Sequence, residues 1–349
     1  LFSSEDKMNA GTFGVAATRY GNFAIQNSDL IISLGCRLNT QITGSNLKSF
    51  APRAKKIVVD IDNNEFKKMN GLKYDLKINL DLKEFFKKIN PKINSSKNYN
   101  VWINKFKLWK EKYPVVQEKY YRQSRKCNPY VFFRSLSELT GKNDVLIPDA
   151  SANLIWAMQS FKIKGQKVFT ALNHSPMGYS MPATIGAYLA NKSKNVICTI
   201  GDGSMQMNIQ ELQTLVHYNI PVKLVVWNNN GYLSIRTTQK KFFSGREIGT
   251  DKKSGVSFPQ TKKIASAYAI PYFSSTNTKT LQKTLFKAFN TKGPVIIEIF
   301  CPQMQEIIPT ASSLKLSNGK MVSKPLEDMY PFLSREDFFA EMINKPIKE

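Results

Sequence analysis

Two short polar runs in this 349-residue chain contain residue types that bind metal ions. The run GDGS at 201–204 directly follows the apolar run 196–200, and NNNG at 228–231 directly follows the apolar run 222–227. A helical stretch separates the two runs. This order of strand, helix and strand is typical of a βαβ unit, in which two parallel strands end at the same edge of a sheet.

Asp202 and Asn229 stand 27 residues apart and are predicted to meet at that edge, because ligands bind at the carboxyl ends of such strands. A carboxylate, an amide oxygen and the main-chain carbonyl of Gly231 offer three hard oxygen ligands. They suit Mg²⁺, which takes six oxygens at about 2.0 to 2.1 Å and often completes its shell with phosphate and water. Gly203 allows a phosphate to approach the backbone, and helix N–H groups can donate to it. The predicted ligand is a magnesium diphosphate.

Taken separately, a GDG or an Asn run is typical of turns. Together, at strand ends, they resemble the motif of thiamine-diphosphate enzymes that runs from GDG to a pair of Asn. GDGSMQMNIQEL at 201–212 is similar to that motif in acetolactate synthases, and LGCRLNTQITG at 34–44 and DIDNNEF at 60–66 resemble their central domain. By this resemblance the chain is identified as a thiamine-diphosphate enzyme of the acetolactate synthase type, which implies thiamine diphosphate and Mg²⁺ as cofactors.

The resemblance also implies roles for residues outside the two metal runs. PMGYSMPATIGA at 176–187 resembles the stretch whose Met holds the cofactor between its two rings. Met177 would therefore force the bent cofactor conformation, and the main-chain carbonyl of Ser175 would receive the cofactor's amino group. DASANLIWA at 149–157 occupies the place where the family binds diphosphate from the opposite side.

That placement makes Ser151 and Asn153 candidate phosphate donors. Ser204 and Tyr232, which lie beside the metal runs, complete the candidate cofactor-binding residues together with Asp202, Gly203, Asn229 and Gly231.

The expected reaction is decarboxylation of a 2-oxo acid, pyruvate, with carboligation to a carbonyl acceptor, as a C–C lyase or transferase of branched-chain amino acid biosynthesis. Two departures leave the acceptor open. Acetolactate synthases have Gly-Gln-His where this chain has Ser151-Ala152-Asn153, and they place a Trp near Thr238. Both variants resemble proteins of nucleotide-sugar and polysaccharide biosynthesis, so acetyl transfer to a nucleotide-linked ketosugar is an alternative. A non-catalytic cofactor-binding module or a subunit of a split enzyme is another.

The elements around the motifs predict an α/β fold with two doubly wound parallel-sheet domains. Residues 1–95 are predicted to form a truncated central domain that resembles an FAD- or NAD-binding domain, with strands at 29–38 and 55–62. Residues 96–127 form a linker with a helix, and residues 128–310 form the diphosphate-binding domain. Its five predicted strands are DVLIP, KVFTAL, NVICTI, VKLVVWN and GPVIIEIF, and residues 311–349 form a C-terminal tail.

Residues 1–28 provide only a loop with glycines and a short helix near 21–26, where a complete doubly wound domain has a first strand and a crossover helix. We therefore expect an upstream segment to be missing. In the family, a Glu on a separate pyrimidine-binding domain activates the cofactor, so no catalytic residue is assigned in this chain. The chain alone is expected to bind cofactor weakly and not to turn over pyruvate. The completed enzyme is expected to be a homodimer or tetramer, and retention of FAD stays open.

The formal net charge of +24 comes almost entirely from scattered Lys, with only nine Arg. Clustered cations that would release phosphate counterions are not evident, which argues against nucleic-acid binding. No apolar run approaches the roughly 18 to 20 residues of a membrane span, so a soluble, cytoplasmic protein is predicted. The sequence has two His and no plausible Ser-His-Asp or phosphate-loop pattern, so it gives no support to a hydrolase or a nucleotidase.

Overall fold

The computed structural model describes residues 2–67, 71–89, 98–172, 174–191, 195–315 and 321–344. The chain divides into two compact units. Lys7–Val115 with Ile308–Glu349 is called the three-stranded unit, and Leu1–Asp6 with Val116–Ile307 is called the six-stranded unit. Residues 90–97, which include the first two residues of the predicted linker, lie outside the described residues. Across the described ranges, no helix combines the length and the apolar character needed to cross a membrane.

The three-stranded unit is built on a small parallel sheet in the order β1-β2-β3. Its first elements are α1 (Arg19–Gln26), β1 (Leu30–Leu34), α2 (Thr40–Thr43), β2 (Lys55–Asp60), β3 (Leu76–Asn79), α3 (Leu82–Ile89) and α4 (Asn100–Lys112). The predicted strands at 29–38 and 55–62 and the short helix near 21–26 are confirmed. Strand β3 was not predicted, since only Leu76 and Ile78 give it an apolar signal.

The six-stranded unit alternates strands and helices, as the predicted doubly wound fold requires. Its elements are α5 (Glu118–Tyr121), α6 (Pro129–Leu139), β4 (Asp144–Pro148), α7 (Ala152–Ser160), β5 (Lys167–Val168), α8 (Ser180–Asn191), β6 (Asn195–Gly201), α9 (Asp202–Met205), α10 (Glu211–His217), β7 (Val222–Asn228), α11 (Leu233–Phe242), α12 (Thr261–Ala267), β8 (Tyr272–Ser275), α13 (Thr278–Phe289) and β9 (Val295–Phe300). Asn128 caps α6 by accepting from the N–H of Tyr130, and Pro129 is its first residue.

The six strands pair in parallel in the order β5-β4-β6-β7-β9-β8. The chain leaves β4 for the edge strand β5 and then returns to β6 on the other side of β4. The direction of winding therefore reverses between β4 and β6, and such a switch point is where doubly wound sheets bind ligands. All five predicted strands are present, although β5 is reduced to two residues, and the edge strand β8 was missed.

Helices cover both faces of this sheet, which explains why its central strands are apolar throughout. On one face Met181 of α8, Leu212 of α10 and Ile264 of α12 belong to one apolar cluster with Cys198 of β6 and Leu224 of β7. Helix α6 packs against α7 and α13. The sheet is a rigid platform on which the loops after β4, β6 and β7 are held.

The chain then returns to the three-stranded unit through β10 (Thr310–Ala311), β11 (Ser313–Lys315), β12 (Met321–Ser323), β13 (Met329–Tyr330) and α14 (Arg335–Glu341). Asn22 of α1 donates through Nδ2 to the carbonyl of Leu326 at 2.8 Å, and Gln26 donates through Nε2 to Oε2 of Glu327 at 2.5 Å. Residues predicted from sequence as a tail are thus packed against the amino-terminal part of the chain.

A buried carboxylate, Glu341, holds α14 against α4. It accepts hydrogen bonds from Trp109 Nε1 and Lys112 Nζ, both at 2.7 Å, and from the Tyr113 hydroxyl at 3.0 Å. Burial by itself would raise the pKa of Glu341, but hydrogen bonds from Lys112, Trp109 and Tyr113 outweigh it and lower the pKa to about 2. The charged form is therefore the one that the fold stabilises.

We expect Glu341→Gln to lower the free energy of unfolding by about 1 to 2 kcal/mol at pH 7. Because the folded pKa lies below the unfolded value, the wild-type charge contributes fully above about pH 4.5 and loses its contribution as the pH falls toward 2. Urea unfolding at pH 7 and at pH 3 measures this, and the gap between wild type and variant should narrow at pH 3. An equal gap at both pH values would contradict the role of the charge.

Candidate functional site

The carboxyl ends of β6 and β7 lie side by side, with Gly201 opposite Trp227 in the sheet. Asp202 follows β6 as the first residue of α9 and is only 6% exposed. Its Oδ1 accepts a hydrogen bond from the N–H of Gly203 at 2.8 Å, and its Oδ2 accepts one from the N–H of Gly231 at 3.3 Å. The second bond crosses from one loop to the other, so the structure brings the two predicted runs together.

Asp202 lies where a negative charge is disfavoured. Burial raises the pKa of this carboxyl to about 6, against the opposing effect of hydrogen bonds from the N–H groups of Gly203 and Gly231. Among the described residues, no Lys or Arg side chain forms an ion pair with Asp202. A buried carboxylate is stabilised by a nearby cation, so this position favours a bound metal ion.

Asn229, the second predicted ligand, is 8% exposed. Within the part of the chain that the structure describes, its side chain has no hydrogen-bond partner. In the neighbouring Asn228, both polar side-chain atoms have hydrogen-bond partners. Its Nδ2 donates to Oε1 of Glu298 at 2.7 Å, and its Oδ1 accepts from the N–H of Asn230 at 3.3 Å. The loop is therefore braced by Asn228 while the amide oxygen of Asn229 remains available to an ion.

Both loops need glycine for steric reasons. Gly231 has a φ of +146°, and a Cβ at this position would lie 2.0 Å from the carbonyl oxygen of Thr250. At Gly203 a Cβ would lie 2.3 Å from the ring of Tyr232. That ring in turn packs edge-on against Phe258, with ring centroids 5.3 Å apart.

An open pocket of about 550 Å³ lies over these loops, at the switch point of the sheet. Chain segments that follow β4, β6 and β7 supply nearly all of its lining. The lining residues are 150–153, Trp156, Met177, 201–204, Trp227, Asn229 and 231–235.

Helices α7 and α11 both begin at this pocket. Their N-cap residues, Ser151 and Tyr232, make no side-chain capping bond, so these caps leave the first N–H groups of each helix to other acceptors, such as those of a ligand. The positive end of a helix attracts anions. The described lining contains no Lys or Arg, and its one carboxylate, Asp202, would repel an anion. A divalent cation between Asp202 and a phosphate group resolves this conflict, because it attracts both.

Comparisons with known proteins match two parts of the chain to one enzyme family. Residues 149–299 match the family described as "Thiamine pyrophosphate enzyme, C-terminal TPP binding domain", and residues 1–89 match "Thiamine pyrophosphate enzyme, central domain". The chain belongs to the thiamine pyrophosphate enzyme family. The matched carboxyl-terminal domain contains Asp202 and Asn229 together with the whole pocket lining.

Several relatives of the chain are named as acetolactate synthases. The "Acetolactate synthase large subunit" of Pyropia yezoensis is 30% identical over 327 residues, covering 92% of this chain and 54% of the relative. That of Cyanidium caldarium is 30% identical over 325 residues with the same coverage. "Acetolactate synthase, chloroplastic" of Arabidopsis thaliana is 27% identical over 320 residues, covering 89% of this chain and 47% of the relative. The chain spans about half the length of these relatives.

Two of the remaining residues that the family resemblance assigned to the cofactor, Ser151 and Asn153, line the pocket at the start of α7. The side chain of Asn153 is held by the protein itself. Its Nδ2 donates to the carbonyl of Thr199 at 2.5 Å, and its Oδ1 accepts from Trp227 Nε1 at 2.9 Å. The main-chain N–H of Asn153, in the first turn of α7, is the group best placed to meet a phosphate.

Met177 lies at the edge of the same pocket and is 39% exposed. Asp149, which follows β4 and is 1% exposed, holds the loop of Met177 in place. Its carboxylate accepts hydrogen bonds from the N–H groups of Gly178 and Ser180, both at 3.1 Å. Ser175, predicted to offer its carbonyl, has a φ of +45° and is half-buried outside the pocket lining.

Four residues near the site were not predicted from sequence, namely Asp149, Ser234, Arg236 and Glu298. Glu298 is 4% exposed in β9, where it accepts from Asn228 Nδ2 and from the Tyr272 hydroxyl. One signal was available: a Glu within the apolar strand VIIEIF must find partners, because buried polar groups are hydrogen-bonded. No comparable feature of the sequence indicated which residues would contact Arg236.

Ser151 adopts a backbone conformation that suits glycine, with φ 70° and ψ −146°. Its hydroxyl contacts the hydroxyl of Ser234 at the mouth of the pocket. Such a conformation costs a non-glycine residue about 1 to 3 kcal/mol. We expect Ser151→Gly to raise the free energy of unfolding of the cofactor-free protein by about 1 kcal/mol after the extra chain entropy of Gly is subtracted.

Ser151→Ala is the matched control, since it removes the same hydroxyl and keeps the strained backbone. Guanidinium unfolding of the wild type, Ser151→Gly and Ser151→Ala separates the effect of losing the hydroxyl from the effect of relieving backbone strain. Equal stability of the Gly and Ala variants would contradict a strained Ser151.

Proposed function

We propose that this chain binds Mg²⁺ and thiamine diphosphate and acts in the decarboxylation of pyruvate, or a related 2-oxo acid, with carboligation to a carbonyl acceptor, as in acetolactate synthase. The observation that carries the proposal is the position of Asp202. It is a buried carboxylate that accepts a hydrogen bond from the N–H of Gly231, in a pocket where two helices begin. Within the described ranges it has no Lys or Arg as an ion-pair partner.

The residues present fit the cofactor. Asp202, Asn229 and the carbonyl of Gly231 would hold Mg²⁺, because they form the set of hard oxygen ligands that this ion prefers. The first N–H groups of α7 and α11 and the hydroxyls of Ser151 and Ser204 would hold the diphosphate. Met177 would support the two rings from the side of the pocket.

When bound, thiamine diphosphate would supply a nucleophilic carbon for chemistry on a 2-oxo acid. The chain itself contributes orientation and electrostatics. Asp149 holds the loop of Met177, and Asn228 holds the loop of Asn229, so both are positioned before any ligand arrives. The apolar Trp156, Trp227 and Leu233 keep water away from one side of the pocket.

The names of the relatives support this assignment, and the matched central and C-terminal domains support the cofactor. Because the chain spans about half of each relative, the complete reaction is proposed for the protein within which this chain acts. The part proposed for the chain itself is to hold the magnesium diphosphate.

Calorimetric titration with thiamine diphosphate tests the proposal. Heat of binding should appear with Mg²⁺ present and vanish with a chelator. Asn229→Ala should weaken the Mg²⁺-dependent binding, whereas Asn191→Ala, an exposed position at the end of α8, should leave it unchanged. Binding that is independent of Mg²⁺, or insensitive to Asn229, would refute the assignment.

The acceptor is a separate proposal. Ser151-Ala152-Asn153 replaces the Gly-Gln-His of acetolactate synthases in the pocket lining, and this difference favours transfer of an acetyl unit to a nucleotide-linked ketosugar as the second candidate. Mass spectrometry of products from labelled pyruvate, with and without such a sugar, separates the two reactions. Cofactor binding without either product would favour a non-catalytic module.

FAD is proposed for the three-stranded unit. Residues 35–44 and 60–66 resemble the FAD-bearing surface of acetolactate synthases, and they follow the neighbouring parallel strands β1 and β2. Ligands bind at such strand ends. The visible absorption spectrum of the purified protein tests this: a flavin band supports the proposal, and a colourless protein that takes up no added FAD refutes it.

A further inference from the structure

Arg236 is a buried cation directly behind the loop that follows β7. Arg236 is only 2% exposed, although it lies in α11 among exposed neighbours. Its guanidinium pairs with Glu247 at 3.6 Å and with Asp251 at 3.5 Å. Two carboxylates therefore lie close enough to Arg236 to pair with its charge.

The other contacts of Arg236 are to main-chain carbonyls. Nη1 donates to the carbonyl of Gln303 at 3.0 Å, and Nη2 donates to those of Thr250 at 3.3 Å and Asn230 at 3.4 Å. A planar guanidinium can hold several acceptors in fixed directions at once. Arg236 thus links the loop after β7 to two segments that are distant in sequence.

Thr250 makes further contacts around Gly231. Its carbonyl oxygen also accepts from the N–H of Tyr232 at 2.9 Å and lies 2.0 Å from the position that a Cβ on Gly231 would take. Thr250 itself is held by Ser254, whose Oγ accepts from the N–H of Thr250 at 2.9 Å, and Asp251 and Ser254 form a capping box. We refer to residues 247–254 as the bracing loop.

We propose that Arg236 is a positioning residue that sets the Mg²⁺ affinity of the cofactor site by fixing the peptide unit between Asn230 and Gly231. The inference rests on the proposed function, in which the Gly231 carbonyl is a metal ligand. Arg236 does not line the pocket, so its action is through the loop and not through contact with the ligand.

The physical reason is the freedom of glycine. With no Cβ, Gly231 has many accessible backbone conformations, and its carbonyl direction depends on the peptide units on either side. Arg236 holds the preceding carbonyl, and the bracing loop closes off the space behind Gly231. Mg²⁺ requires a nearly ideal octahedral shell, so a loosened carbonyl weakens binding of the metal.

The test is the Mg²⁺ concentration that gives half-saturation of thiamine diphosphate binding, measured calorimetrically for Arg236→Met, Arg236→Lys and Arg246→Met. Loss of a residue that orients a metal ligand raises this concentration by about 10- to 100-fold, which we expect for Arg236→Met. Arg236→Lys keeps the charge but cannot span the same carbonyls, and we expect about 10-fold. Arg246 is exposed in the same part of the chain, and its replacement should change nothing.

A purely structural role would lower the unfolding temperature of the Arg236 variants without moving the half-saturation point. An Arg236→Lys protein with native circular dichroism and wild-type half-saturation would therefore overturn the inference, even if Arg236→Met does not fold. Wild-type protein that shows no Mg²⁺-dependent binding would overturn the proposed function and this role with it. Normal wild-type binding with unchanged variants would overturn this role alone.

Discussion

Replacement of Asp202 by Asn should make the cofactor-free protein more stable and weaken its metal-dependent ligand binding by at least about 30-fold. The pKa of the Asp202 carboxyl, about 6 because of burial, exceeds that of an unfolded Asp. The ionised form is therefore a cost of folding at neutral pH, by about 1.4 kcal/mol for each unit of difference. Asn keeps one acceptor oxygen without the charge, and we expect a gain of about 2 kcal/mol.

The pH dependence gives the sign of this effect. A raised folded pKa means that wild-type stability falls as the pH rises from about 4 to about 6, and the loss is complete above that range. The Asn variant should lack this fall. Thermal unfolding from pH 4 to pH 8, without metal, measures it.

The same substitution should weaken the binding of Mg²⁺ and thiamine diphosphate. Removing one charged partner of a buried pair costs about 2 to 5 kcal/mol, so Mg²⁺-dependent binding of thiamine diphosphate should weaken at least about 30-fold. A variant that is no more stable than wild type and binds as well would contradict the place of Asp202 in the account. Opposite changes in stability and ligand binding are expected where a charged residue destabilises the fold but is needed to bind the ligand.

Gly231→Ala should have the largest effect on stability among the substitutions considered. A Cβ would meet the Thr250 carbonyl at 2.0 Å, a backbone atom that cannot move aside as a side chain can. The φ of +146° adds strain for any residue other than Gly. We expect a loss of about 3 kcal/mol or more in the free energy of unfolding, together with loss of Mg²⁺ binding.

Gly245→Ala provides the control for this prediction. Gly245 also has a positive φ, +75°, but a Cβ there would meet nothing within 4 Å. Its cost should be only the left-handed strain of about 1 to 2 kcal/mol, with unchanged Mg²⁺ binding. Denaturant unfolding and metal titration of both variants measure the difference. Equal effects at Gly231 and Gly245 would show that contact with Thr250 is unimportant.

The pairing of the two metal runs could be predicted from sequence because it depends on local features. Each run directly follows an apolar strand, and a helical segment, which contains α9 and α10, lies between the two strands. A crossover of that length makes the strands parallel neighbours, as β6 and β7 are. The Asp202 to Gly231 hydrogen bond follows from this arrangement.

The parts that were missed depend on contacts between segments distant in sequence. Strand β8, with the sequence YFSS, is too short and too polar at its end to signal an edge strand. Its pairing with β9 is a tertiary effect that overrides weak propensity. The bracing loop and the partners of Arg236 likewise depend on residues 247–303 returning to the β7 loop.

Ser151 and Asn153 illustrate a different limit. Nothing in a Ser indicates a positive φ, which is uncommon for any residue except Gly and Asn. The side chain of Asn153 is equally suited by type to bind phosphate or to satisfy Trp227 and Thr199, and only the folded arrangement shows the second use. Residue type indicated the location in both cases, but not the contacts.

A high-resolution structure of the protein crystallised with Mg²⁺ and thiamine diphosphate is the most direct test of the proposed site. The account predicts one metal ion with oxygen ligands from Asp202, Asn229 and the Gly231 carbonyl at about 2.0 to 2.1 Å, bridging to the diphosphate at the start of α7 and α11. Density for the cofactor elsewhere, or a diphosphate in this pocket with no metal on those three oxygens, would contradict it.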